Sequence, residues 1–314
     1  VLVVVSNRED VTADWLVLEL RRRAAAFIRL NTEDYPADIR LRWTLTDAVL
    51  AGPFGRLKAA EVDAVWWRRP LPPSASDGRT PAEAAWASRE ARVALDGFWS
   101  ATSAHWVNHP AANEAADCKP EQLLRACRFG FEVPPTLLSS SADEVRDFAE
   151  AHGQRIITKA LVDGRVPVAS GGYRLLPTVL LDETQLADLS SLGPEPAFFQ
   201  ALIPKAFDLR VTVIGDQSYA CRIDSQDQPL AAVDWRRGDA AAMPHTAVDL
   251  PDDVARRCVK LTASYGLRFA AIDLACTPDG RFVFFELNAN GQWAWVEQLT
   301  GLPLAARLAD ELRA

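Results

Sequence analysis

The sequence predicts an α/β protein made of more than one compact unit, and three observations lead there. The apolar run Val1–Val5, a helix-spaced series and a second apolar run at Phe27–Leu30 form the strand–helix–strand opening of a parallel sheet. Near the other end, two strand-like runs flank Pro278-Asp279-Gly280, the pattern of an antiparallel hairpin. The length of 314 residues exceeds what a single hydrophobic core usually serves, roughly 250–300 residues.

Composition narrows the function. With 49% hydrophobic and 24% charged residues, the chain can bury a substantial core. A net charge of -8 opposes the phosphate backbone, so no nucleic-acid partner is expected. The opening VLVVVS is too short for a signal peptide or a membrane span, which predicts a cytoplasmic protein with no membrane association. The five cysteines, Cys118, Cys127, Cys221, Cys258 and Cys276, contain no CxxC pair and read as reduced thiols rather than a zinc site.

In the first unit, Thr12 is the expected N-cap of a helix that places Leu16, Leu20 and Ala24 on one face. The loop Ser6–Val11 lacks the GxGxxG cradle of a dinucleotide site. A strand at Val62–Trp67 runs into Arg68, Arg69 and Pro70, then an irregular loop to Pro81, then a helix from Pro81 at N1 to about Ser100. Asn108–Pro120, poor in large apolar residues, reads as a linker. Beyond it, Glu121–Cys127 is a helix expected to turn Leu123, Leu124 and Cys127 inward. Phe131–Leu138 is a proline-rich entry to a strand, Ala142–Glu150 an amphipathic helix, and Arg155–Ala160 a strand carrying Lys159. Gly164, Gly171 and Gly172 then mark a loop. Strands restart at Phe198, with a hairpin of Leu209–Ile214 and Ser218–Ile223 turning at Gly215-Asp216. Helices at Pro251–Tyr265 and Leu302–Leu312 bracket the final strands. Three α/β units are therefore expected, at about 1–115, 116–197 and 198–314.

The last hairpin carries the strongest chemical signal. If Asp279 and Gly280 form a two-residue turn, counting outward sets Asp273 opposite Glu286, with Asn288 on the same face. Ala271, Ala275, Phe282 and Phe284 would share that face. Two carboxylates opposed across a sheet repel unless a cation neutralises them, and an all-oxygen set favours Mg2+ or Mn2+ over zinc. The alternative is a strand-capping Asp273 and a solvated Glu286. Lys119, Lys159, Lys205 and Arg210 each lie at or near the end of an apolar segment, where cations can be aimed at phosphate, although a single lysine there also suits solvent. No GxxxxGK[ST] run is present, and the four scattered histidines give no triad.

These residues together resemble the ATP-grasp superfamily, and more narrowly the microviridin and related graspetide macrocyclases, with ribosomal-protein glutamate ligases more distant. The resemblance rests on VWWRRP (65–70), WVNHP (106–110), CKPEQLLRACRFGFEVPPT (118–136), IITK (156–159), FFQALIPKAFDLRVTVIG (198–215) and AIDLACTPDGRFVFFELNANGQWAWVE (271–297). It implies an ATP-grasp fold with an N-terminal parallel-sheet domain, a central α+β domain and a C-terminal antiparallel-sheet domain, with ATP between the last two.

By that resemblance, Lys119 and Lys159 reach the ATP phosphates, Gln200, Ala201 and Ile203 lie on the hinge that reads adenine, and Asp208 supports the ribose or the architecture. Arg210 resembles a phosphate or acyl-phosphate clamp, and Asp273, Glu286 and Asn288 resemble magnesium ligands. The implied chemistry uses ATP and Mg2+, with Mn2+ as the alternative ion, to activate Glu or Asp side chains of a ribosomally made peptide. Ser, Thr or Lys then closes an ester or amide ring. The expected partner is a precursor peptide rich in Thr/Ser and Glu/Asp, and a homodimer is admitted as the assembly. Arg68, Arg69, Arg236 and Arg237 are candidates for holding an acidic peptide; braces at domain joints are an equal explanation. Two alternatives remain: an intermolecular peptide–amino acid ligase and a noncatalytic nucleotide- and peptide-binding module.

Overall fold

The computed structural model describes residues 1–74, 78–162, 164–168, 172–239 and 242–314. Its first sheet forms because Val-rich segments, buried on both faces, pair in parallel. Strand β1 (Leu2–Ser6) runs into helix α1 (Val11–Arg22) and then β2 (Phe27–Asn31). The N-cap of α1 is Asp10 rather than Thr12: its carboxylate accepts from the amides of Thr12 and Ala13 at 3.0 and 3.3 Å. A carboxylate here also takes the Ser6 hydroxyl at 2.8 Å, which joins the cap to the end of β1.

An antiparallel meander of β3 (Arg40–Thr44), β4 (Asp47–Gly52) and β5 (Gly55–Lys58) follows, then β6 (Ala64–Trp67), α2 (Pro81–Ser100) and β7 (His105–Val107). Thr80 and Glu83 cap α2 reciprocally, with Pro81 at N1 as expected. The parallel sheet has the order β2-β1-β6-β7. Part of the loop expected before α2, residues 75–77, lies outside the described residues.

The expected linker at 108–120 is largely helical: α3 (Pro110–Ala116) and then α4 (Lys119–Arg128). Alanines that looked like linker composition let α3 pack closely, and Ala116 is fully buried. Helix α4 buries Gln122, Leu123 and Ala126, while Leu124 and Cys127 face solvent. The inward face differs from the sequence expectation because Gln122 turns its amide to the backbone of a strand beneath.

Next come β8 (Thr136–Ser139), α5 (Ala142–Ala151) and β9 (Ile156–Lys159). Within the expected proline-rich entry at 131–138 the strand itself starts at Thr136, since Pro134 and Pro135 have no amide to give a ladder. The glycine segment contains a small hairpin, β10 (Arg165–Pro167) with β11 (Tyr173–Leu175), where sequence alone read a loop. Gly171 lies outside the described residues. Then come β12 (Val179–Leu180), α6 (Glu183–Ala187) and β13 (Ala197–Ala201), giving a central sheet of order β12-β9-β13-β8. Phe198, expected to open the third unit, instead pairs with Leu138 and Lys159 in this sheet. The sheets divide between Ala201 and Phe207.

The third sheet is antiparallel, with β14 (Phe207–Ile214), β15 (Gln217–Ile223), helix α7 (Pro229–Val233), β16 (His245–Val248), α8 (Asp252–Ala263), β17 (Phe269–Cys276) and β18 (Phe282–Asn288). Helices α9 (Ala294–Thr300) and α10 (Leu304–Glu311) end the chain, and the strand order is β16-β15-β14-β17-β18. Leu123 and Ala126 of α4 and Val254, Cys258 and Leu261 of α8 share a core with Val211, Ile272, Leu274 and Phe284 of the sheet. A second core joins first and third units directly: Val4, Leu16 and Trp66 lie with Phe269, Trp293 and Leu308. Among the described residues no helix is long and apolar enough to cross a membrane.

Two buried amides fix these contacts. Asn108 donates to the carbonyls of Phe269 and Ala289 at 2.9 and 3.0 Å and accepts from the amides of Arg268 and Phe269 at 2.8 and 2.9 Å. Gln122 bonds Leu287 through both its amide and its carbonyl, at 2.9 and 2.8 Å. Replacing Asn108 with alanine strands several buried backbone groups, so Asn108→Ala should destabilise the protein by about 3 kcal/mol. Urea unfolding checks this, and an unchanged midpoint would contradict the role of Asn108 as a pin.

Candidate functional site

The carboxylate hairpin forms by a different route from the one expected. Gly280 adopts φ +84° and its amide bonds the Thr277 carbonyl, while the Thr277 amide bonds the carbonyl of Arg281. The loop therefore has three residues, Pro278, Asp279 and Gly280. A two-residue turn of the expected type needs positive φ at Asp279 as well, which Asp279 does not adopt. The longer loop shifts the register, so Cys276 faces Phe282 and Leu274 faces Phe284. A bulge between Asp273 and Leu274 in the ladder then restores the pairing, and Asp273 faces Glu286 and Ala271 faces Asn288. Phe284, expected beside the acids, instead enters the helix-covered core, and the bulge turns Phe285 into the cleft.

An open cleft of about 620 Å³ lies between the central and third sheets. Ile157, Lys159, Gln200, Ala201, Leu202 and Ile203 form one wall; Lys205, Asp208, Asp273, Phe285 and Glu286 form the other, with Asp234, Trp235 and Arg236 at its side. Gln200 donates to the Thr136 hydroxyl at 3.0 Å. The amides of Ala201 and Leu202 bond the carbonyls of Pro135 and Arg155. The Ile203 amide has no hydrogen-bond partner among the described residues, leaving a donor beside apolar walls that suits a planar heterocycle.

The charges interlock. Arg210 on β14 donates to Asp273 at 2.7 Å and to the Gln292 carbonyl at 3.3 Å. Lys119 and Arg236 approach Glu286 at 3.9 and 3.7 Å, and the Asn288 amide donates to it at 3.2 Å. Burial pushes the Asp273 carboxyl up to about 6 even though Arg210 favours its charge. Burial works the same way on Glu286, but Lys159, Arg236 and Lys119 outweigh it and bring this carboxyl down to about 2. Burial also lowers the Lys159 ammonium from its ordinary value, against the pull of Glu286. Among the described residues, Asp273 Oδ2 and Glu286 Oε2 accept no hydrogen bond, so two carboxylate oxygens are left for a cation. With the Asn288 amide oxygen they form a hard donor set that fits Mg2+ or Mn2+.

Asp208 is placed differently from one expectation. Its carboxylate accepts from Lys205 at 2.9 and 2.8 Å and from Ser225, which leaves little capacity for a ribose hydroxyl. It anchors Lys205, one of the four cations whose segment-end positions suit phosphate. Trp235, Phe285 and Thr178 also line the cleft and carried no sequence signal.

The four arginines separate. The Arg68 side chain is 0% exposed, lies 3.4 Å from Asp10, and donates to the Asn290 carbonyl, as does Arg69 at 3.2 and 3.1 Å. For Arg68 this is the brace at a joint, not an exposed peptide contact, whereas Arg69, on the same carbonyl, is only half-buried. Arg236 makes two bonds to Asp234, at 2.8 and 2.9 Å, and its side chain remains 52% exposed at the cleft. Arg237 donates to the Thr178 carbonyl at 3.2 Å; of this pair Arg236 lines the cleft, 3.7 Å from Glu286, and Arg237 is not among the described lining residues.

Residues 1–114 match the family described as the MvdD pre-ATP grasp domain. The whole fold is similar to the macrocyclase MdnC of Microcystis aeruginosa MRC, solved with its precursor peptide MdnA: 26% identity, TM-score 0.88, covering 100% of this chain and 99% of that one. It is also similar to a RiPP-associated ATP-grasp ligase of Chryseobacterium gregarium, solved with ADP and a leader and core peptide: 26% identity, TM-score 0.90, 99% and 96% covered. The macrocyclase MdnB of Microcystis aeruginosa MRC is 27% identical, TM-score 0.82, with 99% and 98% covered. No curated protein matches the sequence. The architecture is the ATP-grasp fold, and the chain resembles the microviridin and graspetide macrocyclases.

Asp273→Asn and Glu286→Gln should each reduce ADP release by about 100-fold or more, the scale of losing an electrostatic element at a site of charge transfer. Their effects on stability should differ. Glu286→Gln removes the counter-charge of three cations and should lower the metal-free melting temperature. Asp273→Asn removes the counter-charge of Arg210 but keeps an oxygen to accept its bond, at a carboxyl whose charge burial disfavours, so it should lower the melting temperature less. Melting curves in EDTA beside turnover measurements check both, and normal turnover in either variant would remove that residue from the site.

Proposed function

We infer that this chain is an ATP-grasp ligase that activates Glu or Asp side chains of a ribosomally made precursor peptide and closes macrocycles through Ser or Thr hydroxyls or a Lys amine. The observation that carries this reading is the pair of opposed carboxylates, ringed by Lys119, Lys159, Arg210 and Arg236, at the end of a cleft between two sheets. That the similar MdnC and Chryseobacterium structures were solved with such peptides supports the substrate class.

Asp273, Glu286 and Asn288 would hold Mg2+, or Mn2+, which supplies neutralisation of phosphate charge. Ile203 offers its backbone to adenine, with Gln200 and Ala201 shaping that wall. Lys119 and Lys159 face the phosphates, and Lys205 is held by Asp208 toward the nucleotide. A peptide carboxylate oxygen forms a bond to the γ-phosphorus as the bond to the ADP oxygen breaks, giving an acyl phosphate. A hydroxyl or amine of the same peptide then bonds the acyl carbon, loses its proton and expels phosphate. Arg210 stabilises the charge on the transferred group, and half-exposed Arg236 orients the acidic side chain. Among the described residues lining the cleft there is no Cys, His or Ser, and Thr178 is the one hydroxyl besides the amines of Lys159 and Lys205; the reading is direct transfer between substrates. The preferred peptide is rich in Thr or Ser and in Glu or Asp.

The test incubates the protein with ATP, Mg2+ and synthetic Thr/Glu/Asp-rich peptides encoded beside its gene. The expected result is loss of one water from the peptide for each ADP released. A gain in peptide mass by an added amino acid would point instead to intermolecular ligation. Peptide binding without ADP release would overturn the catalytic reading.

A further inference from the structure

The segment between β18 and α9, residues 288–293, connects Asn288 to the rest of the fold and contains almost no regular structure. Its carbonyls are nevertheless held one after another. The Asn288 carbonyl accepts from the Gly291 amide at 3.1 Å. The Ala289 carbonyl accepts from Asn108 at 3.0 Å. The Asn290 carbonyl takes Arg68 and two donors of Arg69, and the Gln292 carbonyl takes Arg210. Gly291 is pressed so closely on β17 that a Cβ there would lie 2.2 Å from Cβ of Ala271, the residue paired with Asn288.

Two of the three side-chain sources, Arg68 with Arg69 and Asn108, come from the first unit, none of whose described residues lines the cleft. Arg68 is fully buried, with Nε and one terminal nitrogen lacking hydrogen-bond partners among the described residues. Burying a guanidinium in this way is costly. Its one strong contact is to the loop, and its one nearby acid is Asp10, the cap of α1. Peptide solvation or a surface ion pair would not require such burial. A fixed carbonyl, by contrast, is what a rigid charged donor secures.

We propose that Arg68, assisted by Arg69, is a positioning residue that acts across the unit boundary: by fixing the Asn290 carbonyl it sets Asn288 in the geometry that receives the metal-bound nucleotide. The proposal rests on the assignment of Asn288 as a metal ligand. Groups that orient metal ligands commonly change metal affinity by about 10–100-fold when altered.

The experiment measures ATP binding by calorimetry, once with Mg2+ and once in EDTA, for the full chain and for Arg68→Lys, Arg69→Lys, Asn288→Ala and the double variant Arg68→Lys/Asn288→Ala. A lysine keeps the charge but not the forked geometry. Arg68→Lys should weaken binding in Mg2+ by about tenfold while affinity in EDTA stays within about twofold. A merely structural defect would weaken both. Because Arg68 acts through Asn288, the double variant should bind Mg2+-ATP no worse than Asn288→Ala alone. Additive losses would overturn the proposal, as would an unchanged Mg2+ affinity in folded Arg68→Lys. If Arg68→Lys does not fold, the partly exposed Arg69→Lys is held to the same criteria. If Asn288→Ala binds Mg2+-ATP normally, the metal assignment itself fails and the proposal falls with it. A defect in Asn288→Ala with none in either arginine variant defeats the proposal alone.

Discussion

Two carboxylates set face to face on neighbouring strands are the constraint around which the rest of the third sheet is arranged. Asp273 and Glu286 lie opposite each other in the ladder, partly withdrawn from water, where mutual repulsion and desolvation both oppose ionisation. The protein divides the difficulty unequally. Glu286 has three cations around it and stays ionised, whereas Asp273 has the single close bond from Arg210 and is held near 6. An added divalent ion would relieve both costs at once. The same group of cations without a metal would be a poor structural solution, since Lys159 pays for its burial with a lowered affinity for its proton.

Placement of these groups depends on parts of the chain far from the cleft. Asn108 ties the end of the first sheet to β17 and to the segment after β18, and Gln122 ties α4 to Leu287. Lys119 is at the start of that same α4, so the contact that seats the helix also seats the lysine that approaches Glu286. The first and third units share a hydrophobic core through Trp66, Phe269 and Trp293. The central sheet has its own small core around Val145, Ile156 and Phe199. The wall of the cleft that carries Lys159 and Ile203 has this core on one side, while Phe198 of β13 joins the core of the third sheet, whose strands carry the acids.

Much of this was legible in the sequence where a feature depends on local pattern. The apolar run of β1, the proline and threonine start of α2, and the residues Asp273, Glu286 and Asn288 could all be read directly. The pairing of Asp273 with Glu286 came out right through two compensating shifts, a longer loop and a bulge, because strand alternation gives no sign of either. That is also why Phe284 and Phe285 exchanged faces. The small residues of α3 imitate a linker in composition, and the hydrogen-bonding of Asn108 and Gln122 involves partners over 160 positions away. Arg68 and Arg69 could be seen as a charged pair, but not that one would be fully enclosed, since a basic dipeptide at a strand end looks the same before it meets the Asn290 carbonyl.

The distribution of chemistry within the cleft has a further consequence. Cations, four acids, an amide, a threonine hydroxyl and a free backbone donor are present, while the described lining includes no thiol, imidazole or serine hydroxyl. Such a site can bind and neutralise a triphosphate and hold an acid against it, because both tasks are electrostatic and positional. The same tasks require no group of the protein to become acylated. The atom that ends the reaction must then be delivered by a substrate, and the protein's influence on the outcome is exerted through geometry: which hydroxyl or amine reaches the activated carbon while water is kept away. Selectivity between ester and amide products accordingly resides in how the peptide is presented to the cleft, and the charged machinery around Asp273 and Glu286 can serve either one unchanged.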